Sequence, residues 1–179
     1  MIRSRTALVG LMVAVGGLAA AAQTATPPDR LALLAPLVGR WTGTTEGEPG
    51  RGTVEREYER VLGARFVQVK NVSTYPPQEK NPKGERHEDL GLFSYDSARK
   101  AILFRQFHVE GFVNQYVLDP ASPPDRLVFT SEAIENIPPG WRARETYVIG
   151  ADRLEEIFEL AEPGKDFALY SRNRLTRAK

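Results

Sequence analysis

Cysteine is absent from the 179-residue chain, and histidine, methionine and tryptophan occur twice each. Without cysteine there is no disulfide, no thiolate nucleophile and no sulfur-ligated zinc or iron–sulfur centre. With two imidazoles, any histidine-based triad must be built on His87 or His108. An excess of one charge is also lacking: 24 Lys+Arg face 23 Asp+Glu for a formal charge of +1, which leaves no electrostatic footprint for nucleic acid or an acidic membrane surface. Gly-x-Ser-x-Gly, Walker and Gly-x-Gly-x-x-Gly signatures are missing, so nothing points to a nucleophile elbow or a nucleotide-binding loop. A composition of 41% hydrophobic and 26% charged residues excludes disorder and fibrous repeats, and the length suits one domain.

The one extended apolar run, residues 7–22, follows the basic start Met1-Ile-Arg-Ser-Arg5 and is small and Gly/Ala-rich. It predicts a secretory signal peptide over residues 1–22, cleaved after the small-x-small Ala20-Ala21-Ala22. A retained anchor would need about 20 strongly apolar residues. Cleavage would leave 157 of the 179 residues and, with Arg3 and Arg5 gone, a formal charge of −1. A periplasmic or secreted location follows, with no stable membrane anchor. Residues 23–30 then read as a linker and 31–177 as the folded domain.

After Asp29, a plausible N-cap, Leu31, Leu33, Leu34 and Leu37 suggest one short helix. From Trp41 onward, Gly/Pro/Asn/Asp turn signals recur at hairpin spacing. Between them lie segments rich in Val, Ile, Phe, Tyr and Thr, placed near 39–46, 53–61, 65–75, 87–95, 100–108, 112–119, 126–135, 141–149, 153–161 and 167–175. Alternation supports strands: Leu154, Glu156, Phe158 and Leu160 share one face, while Glu155, Ile157 and Glu159 share the other. Leu127, Phe129, Ser131 and Ala133 alternate in the same way with Val128, Thr130 and Glu132. So many consecutive strands must hide their edges. The expected fold is all-β: a single up-and-down antiparallel barrel of about ten strands with a short N-terminal helix, a two-sheet sandwich being the alternative.

Leu37-Val38-Gly39-Arg40-Trp41-Thr42-Gly43, after a short helix and opening the first strand, resembles the Gly-x-Trp opening of calycin-type barrels. With about ten strands and no helix after the last, the likeness is closer to the fatty-acid-binding and nitrobindin branch than to the eight-stranded lipocalins. The resemblance implies that Trp41 plugs the closed end under an arginine of the last strand, Arg172 or Arg174. The stretches 73–79, 105–111 and 136–142 also resemble those of exported bacterial proteins, which implies export but no particular activity. Nitrobindin-type barrels hold haem iron with a histidine of the C-terminal strand; Leu169-Tyr170-Ser171-Arg172-Asn173-Arg174-Leu175 has none, so no haem and no other cofactor is expected.

Polar residues that alternation places toward an interior are the candidate ligand contacts. Gln106 and His108 share a face with Phe104; Gln115 or Asn114 lies on the next strand; Ser131, Glu145, Tyr147 and Tyr170 follow. To these the fatty-acid-binder resemblance adds Arg172 or Arg174, whose fork would meet a carboxylate bidentately. Each histidine also has a carboxylate two positions on, His87 with Asp89 and His108 with Glu110, a spacing that puts both side chains on one strand face. The reading is an exported barrel that holds a small apolar or amphipathic molecule in its lumen, with no catalytic residue assigned. The alternatives are a metal- or water-using barrel enzyme built on His108 and Glu110, and a structural barrel with no ligand.

Overall fold

The structure, a computed structural model, describes residues 28–79 and 81–178. The expected signal peptide and the first part of the linker lie outside the described residues. Ten strands follow a short 3-10 helix, Ala32–Leu37: β1 (Gly39–Gly47), β2 (Gly50–Val61), β3 (Phe66–Tyr75), β4 (Glu85–Asp96), β5 (Ala101–His108), β6 (Val113–Leu118), β7 (Arg126–Glu135), β8 (Arg142–Ile149), β9 (Arg153–Ala161) and β10 (Ala168–Arg177). Each pairs antiparallel with its sequence neighbours, and β10 returns to β1, so the meander closes into one barrel with no free edge. Each of the ten segments read from the turn spacing coincides with one strand. The N-terminal helix is a single 3-10 piece, consistent with Pro36 inside it, which cannot donate to an extended helical ladder.

That 3-10 piece plugs one end of the barrel. Leu34, Leu37 and Trp41 are fully buried there, and Trp41 Nε1 donates to the Leu37 carbonyl at 2.7 Å. The arginine over the indole is neither Arg172 nor Arg174 but Arg177, whose guanidinium lies 4.3 Å from the ring centroid. Its two terminal nitrogens donate to the carbonyls of Val38 and Pro36 at 2.9 and 2.6 Å, tying plug, first strand and last strand together. Register explains the difference: Trp41 pairs with Arg177, whereas Arg172 and Arg174 sit opposite Glu46 and Thr44 and turn outward, where both approach Glu155. The motif's glycine has a local reason. Gly39 adopts φ +124°, and a Cβ there would stand 3.0 Å from Arg177 Nη1.

Above the plug the interior is close-packed and aromatic. Phe93 stacks on Phe104 at 4.0 Å, Phe104 on Tyr116 at 5.5 Å, and Phe129 meets Phe93 and Tyr147 edge-on. Gly91 makes room for this stack, since a Cβ there would lie 2.4 Å from the Phe104 ring. The outer face carries cross-strand ion pairs such as Arg144–Glu159 and Arg40–Glu57, as the outward side of the Glu155/Glu159 alternation implies. Among the described residues no helix is long and apolar enough to cross a membrane.

Candidate functional site

In an up-and-down barrel every second connection falls at the same end. The β1–β2, β3–β4, β5–β6, β7–β8 and β9–β10 connections therefore all lie opposite the plug. At that end the interior is open: a cavity of about 540 Å3 begins among Pro49, Phe112, Ile137, Pro138 and Trp141, which those connections contribute. It runs past Phe158 and Leu160 to a floor of polar side chains resting on the aromatic layer.

The floor is organised by two carboxylates. Glu156 accepts hydrogen bonds from Arg56 Nε at 3.0 Å, Tyr58 Oη at 2.8 Å and Asn173 Nδ2 at 2.9 Å. Arg56 is as buried as its partner, and its Nη1 also donates to the carbonyls of Glu55 and Val72. Burial works against the guanidinium charge, but Glu156 and Asp89 outweigh it, so Arg56 stays cationic. Asp89 accepts from Asn71 Nδ2 at 2.6 Å and Gln106 Nε2 at 2.9 Å. Its desolvation is overcome by His87, Arg56 and Gln106, which together hold its pKa below the ordinary value.

Glu145 is different. It lines the same cavity, is 9% exposed, and makes no side-chain hydrogen bond with any described residue. Burial, then the neighbouring Glu156 and Asp89, push its pKa well above the ordinary carboxyl value, with Arg56 opposing. A carboxyl whose pKa rises on folding weakens the fold as pH climbs above its unfolded value, at about 1.4 kcal/mol per pH unit until the folded pKa is reached. Glu145→Gln is therefore expected to raise stability at pH 7 and to change it little near pH 4. Denaturant unfolding at the two pH values checks this, and equal stability at pH 7 would mean that Glu145 is ionised in the fold.

Nearer the mouth, a chain of contacts crosses from β6 to the β5–β6 connection. Asn114 Nδ2 lies 3.2 Å from His108 Nε2, His108 Nδ1 3.4 Å from His87 Nε2, and His87 Nδ1 2.8 Å from Glu110 Oε1. Burial lowers the His108 pKa to about 4, so its imidazole is neutral at physiological pH. Asp89 and Glu110 raise that of His87 against the opposing effect of its burial. The i/i+2 spacing holds for His87, whose Nε2 is 3.6 Å from Asp89. His108 and Glu110 also converge on the cavity, but β5 ends at His108, and from the following turn Glu110 makes its hydrogen-bond contact with His87. Among the described residues, His87, His108 and Glu110 form a group whose ligand atoms all lie within 4.8 Å of one another.

Of the residues singled out in the sequence, Gln106, His108, Glu145, Tyr147 and Tyr170 line the cavity. Gln115, Ser131 and Arg172 do not. Gln115 points outward and donates to Glu135 at 2.6 Å, leaving the inward positions of β6 to Asn114 and Tyr116. Ser131 sits at a register shift between β6 and β7; its hydroxyl accepts from the Ala143 amide at 2.8 Å, and the shift brings Ile134 to the cavity in place of Ala133. Arg172 follows the irregularity between Leu169 and Ser171, after which Ser171, Asn173 and Leu175 face inward and Arg172 meets Glu155 outside. Arg56, Asn71, Asp89 and Glu156 complete the floor. Parity was the available signal for Arg56, which shares a face with Val54 and Tyr58, but the charged run Glu55-Arg56-Glu57 reads as solvated.

No family model matches the chain. No curated protein matches it either. Among solved structures it is similar to the "Crystal Structure of Rv2717c from M. tuberculosis", with a TM-score of 0.66 and 18% identity over 84% of this chain and 98% of that one. At that identity the likeness establishes the barrel fold alone.

Proposed function

We propose that the protein is an exported ligand-binding barrel that holds one small apolar or amphipathic molecule in its lumen. The observation that supports this best is the asymmetry of the interior. One half is packed with aromatic and aliphatic side chains around Trp41 and Phe93, while the other is left open over about 540 Å3 with an apolar rim and a polar floor. An unfilled interior forfeits dispersion contacts and stability, so a barrel with a purely structural role would be expected to fill it. Apolar walls with a few converging polar groups are the usual make-up of a small-molecule site.

A second reading rests on the His87, His108 and Glu110 group at the mouth, two imidazoles and a carboxylate spaced to hold a divalent ion or an activated water. It would make the barrel a metal- or water-using enzyme. One experiment separates the readings: native mass spectrometry of the protein recovered from the exported fraction of its own cell. The lumen reading expects a chain beginning near Gln23 with a stoichiometric organic molecule bound. Stoichiometric metal without such a molecule would favour the second reading, and a bare chain would leave a structural barrel.

A further inference from the structure

The chemistry of the cavity floor narrows what the lumen can hold, on the reading that it holds an amphipathic molecule. Five carboxyl groups line the cavity, Glu85, Asp89, Glu110, Glu145 and Glu156, against the guanidinium of Arg56 and the two histidines. The one permanent cation is committed: Arg56 pairs with Glu156 at 3.0 Å and donates to two backbone carbonyls. Drawing it toward a ligand anion would leave Glu156 buried without its counter-ion, which costs more than the new pair returns. A carboxylate or phosphate head would thus meet like charge, the opposite of the arginine clamp that the fatty-acid-binder resemblance implies.

Acceptors are in excess as well. Glu145, nine-tenths buried, lines the cavity and makes no side-chain hydrogen bond with any described residue. In the same cavity lining, Asn71 Oδ1, Gln106 Oε1 and Asn114 Oδ1 are buried with no hydrogen-bond partner among the described residues. For Asn71 and Gln106 the amide orientation is set by Asp89, an acceptor that holds both –NH2 groups. The surplus is therefore one of lone pairs, and a ligand that answers it must donate.

We propose that the lumen takes an amphipathic amine, its ammonium seated on Glu145 between Asp89 and Glu156 and its apolar body lying against Phe158, Ile134 and the Trp141 rim. The titratable groups that act on Glu145 are Glu156 from β9, Asp89 from β4, Arg56 and Tyr58 from β2, Tyr116 from β6 and Tyr147 on β8 itself. An ammonium seated there would pair with the Glu145 carboxylate, and any proton the carboxyl carries before binding leaves to solvent.

The test uses three probes of equal chain length, decylamine, decanol and decanoate, titrated calorimetrically into the full mature-length chain at pH 7. Decylamine is expected to bind at least about tenfold more tightly than decanoate. Glu145→Gln, which is isosteric and expected to fold at least as well as the parent, should weaken decylamine at least about tenfold and decanol far less. Decanoate binding as tightly as decylamine, decanol matching decylamine, or an unaltered Glu145→Gln protein would each overturn the amine assignment while leaving the lumen reading in place. Failure of all three probes to bind would overturn both.

Discussion

Replacing Arg56 with methionine is expected to destabilise the barrel by about 3–5 kcal/mol, the cost of stranding a buried carboxylate. Glu156 is 5% exposed, and its Oε2 loses the Arg56 contact at 3.0 Å, retaining only Asn173 at 2.9 Å, while Tyr58 still donates to Oε1. The damage comes from the unmatched charge more than from lost contacts, so the double change Arg56→Met with Glu156→Gln should recover most of it. Denaturant unfolding of the two single variants and the double variant measures this coupling. A loss below about 1 kcal/mol in Arg56→Met would mean that water reaches the pair and screens it.

Trp41→Ala is expected to cost a similar amount, about 3–5 kcal/mol, for a different reason. The indole is fully buried between the 3-10 plug and the barrel end, its Nε1–H satisfied by Leu37 and its face covered by Arg177. Truncation leaves a large cavity and an orphaned carbonyl, and it removes the surface on which Arg177 rests. Because Arg177 also binds the carbonyls of Val38 and Pro36, loss of the indole should loosen the plug as a unit. Hydrogen exchange of the Leu34 and Leu37 amides should accelerate with the fall in unfolding free energy. An effect below about 1 kcal/mol would detach the Gly-x-Trp motif from the closed end.

These two sites also show how unevenly the molecule could be read from its residues. Trp41 was legible because Gly39, the short apolar segment before it and the strand after it form one local signal. Its arginine was not, since choosing among Arg172, Arg174 and Arg177 requires the β1–β10 register, which joins residues from opposite ends of the chain. Arg56 was hidden by its neighbours: a charged run is usually solvated, and only its parity with Val54 and Tyr58 pointed inward. The inward placement of Glu145 and Tyr147 was legible because β8 runs without interruption. Arg172 lies outside the cavity because the shift before it moves every later β10 side chain to the other face, and Ser131 because its hydroxyl is taken by the Ala143 amide beside the β6–β7 shift.

The sequence by itself determined the approximate number, order and ends of the strands and the short apolar segment before them, because turn chemistry and two-residue alternation are local properties of the chain. Tertiary structure decided which parity faces inward at each strand, which arginine covers the indole, and that the plugged half of the barrel is full while the other half is open. Those outcomes depend on register, on bulges and on the volumes of side chains brought together from ten separate strands. No local pattern encodes them, since an alternating strand is equally consistent with either face being buried until its neighbours are placed.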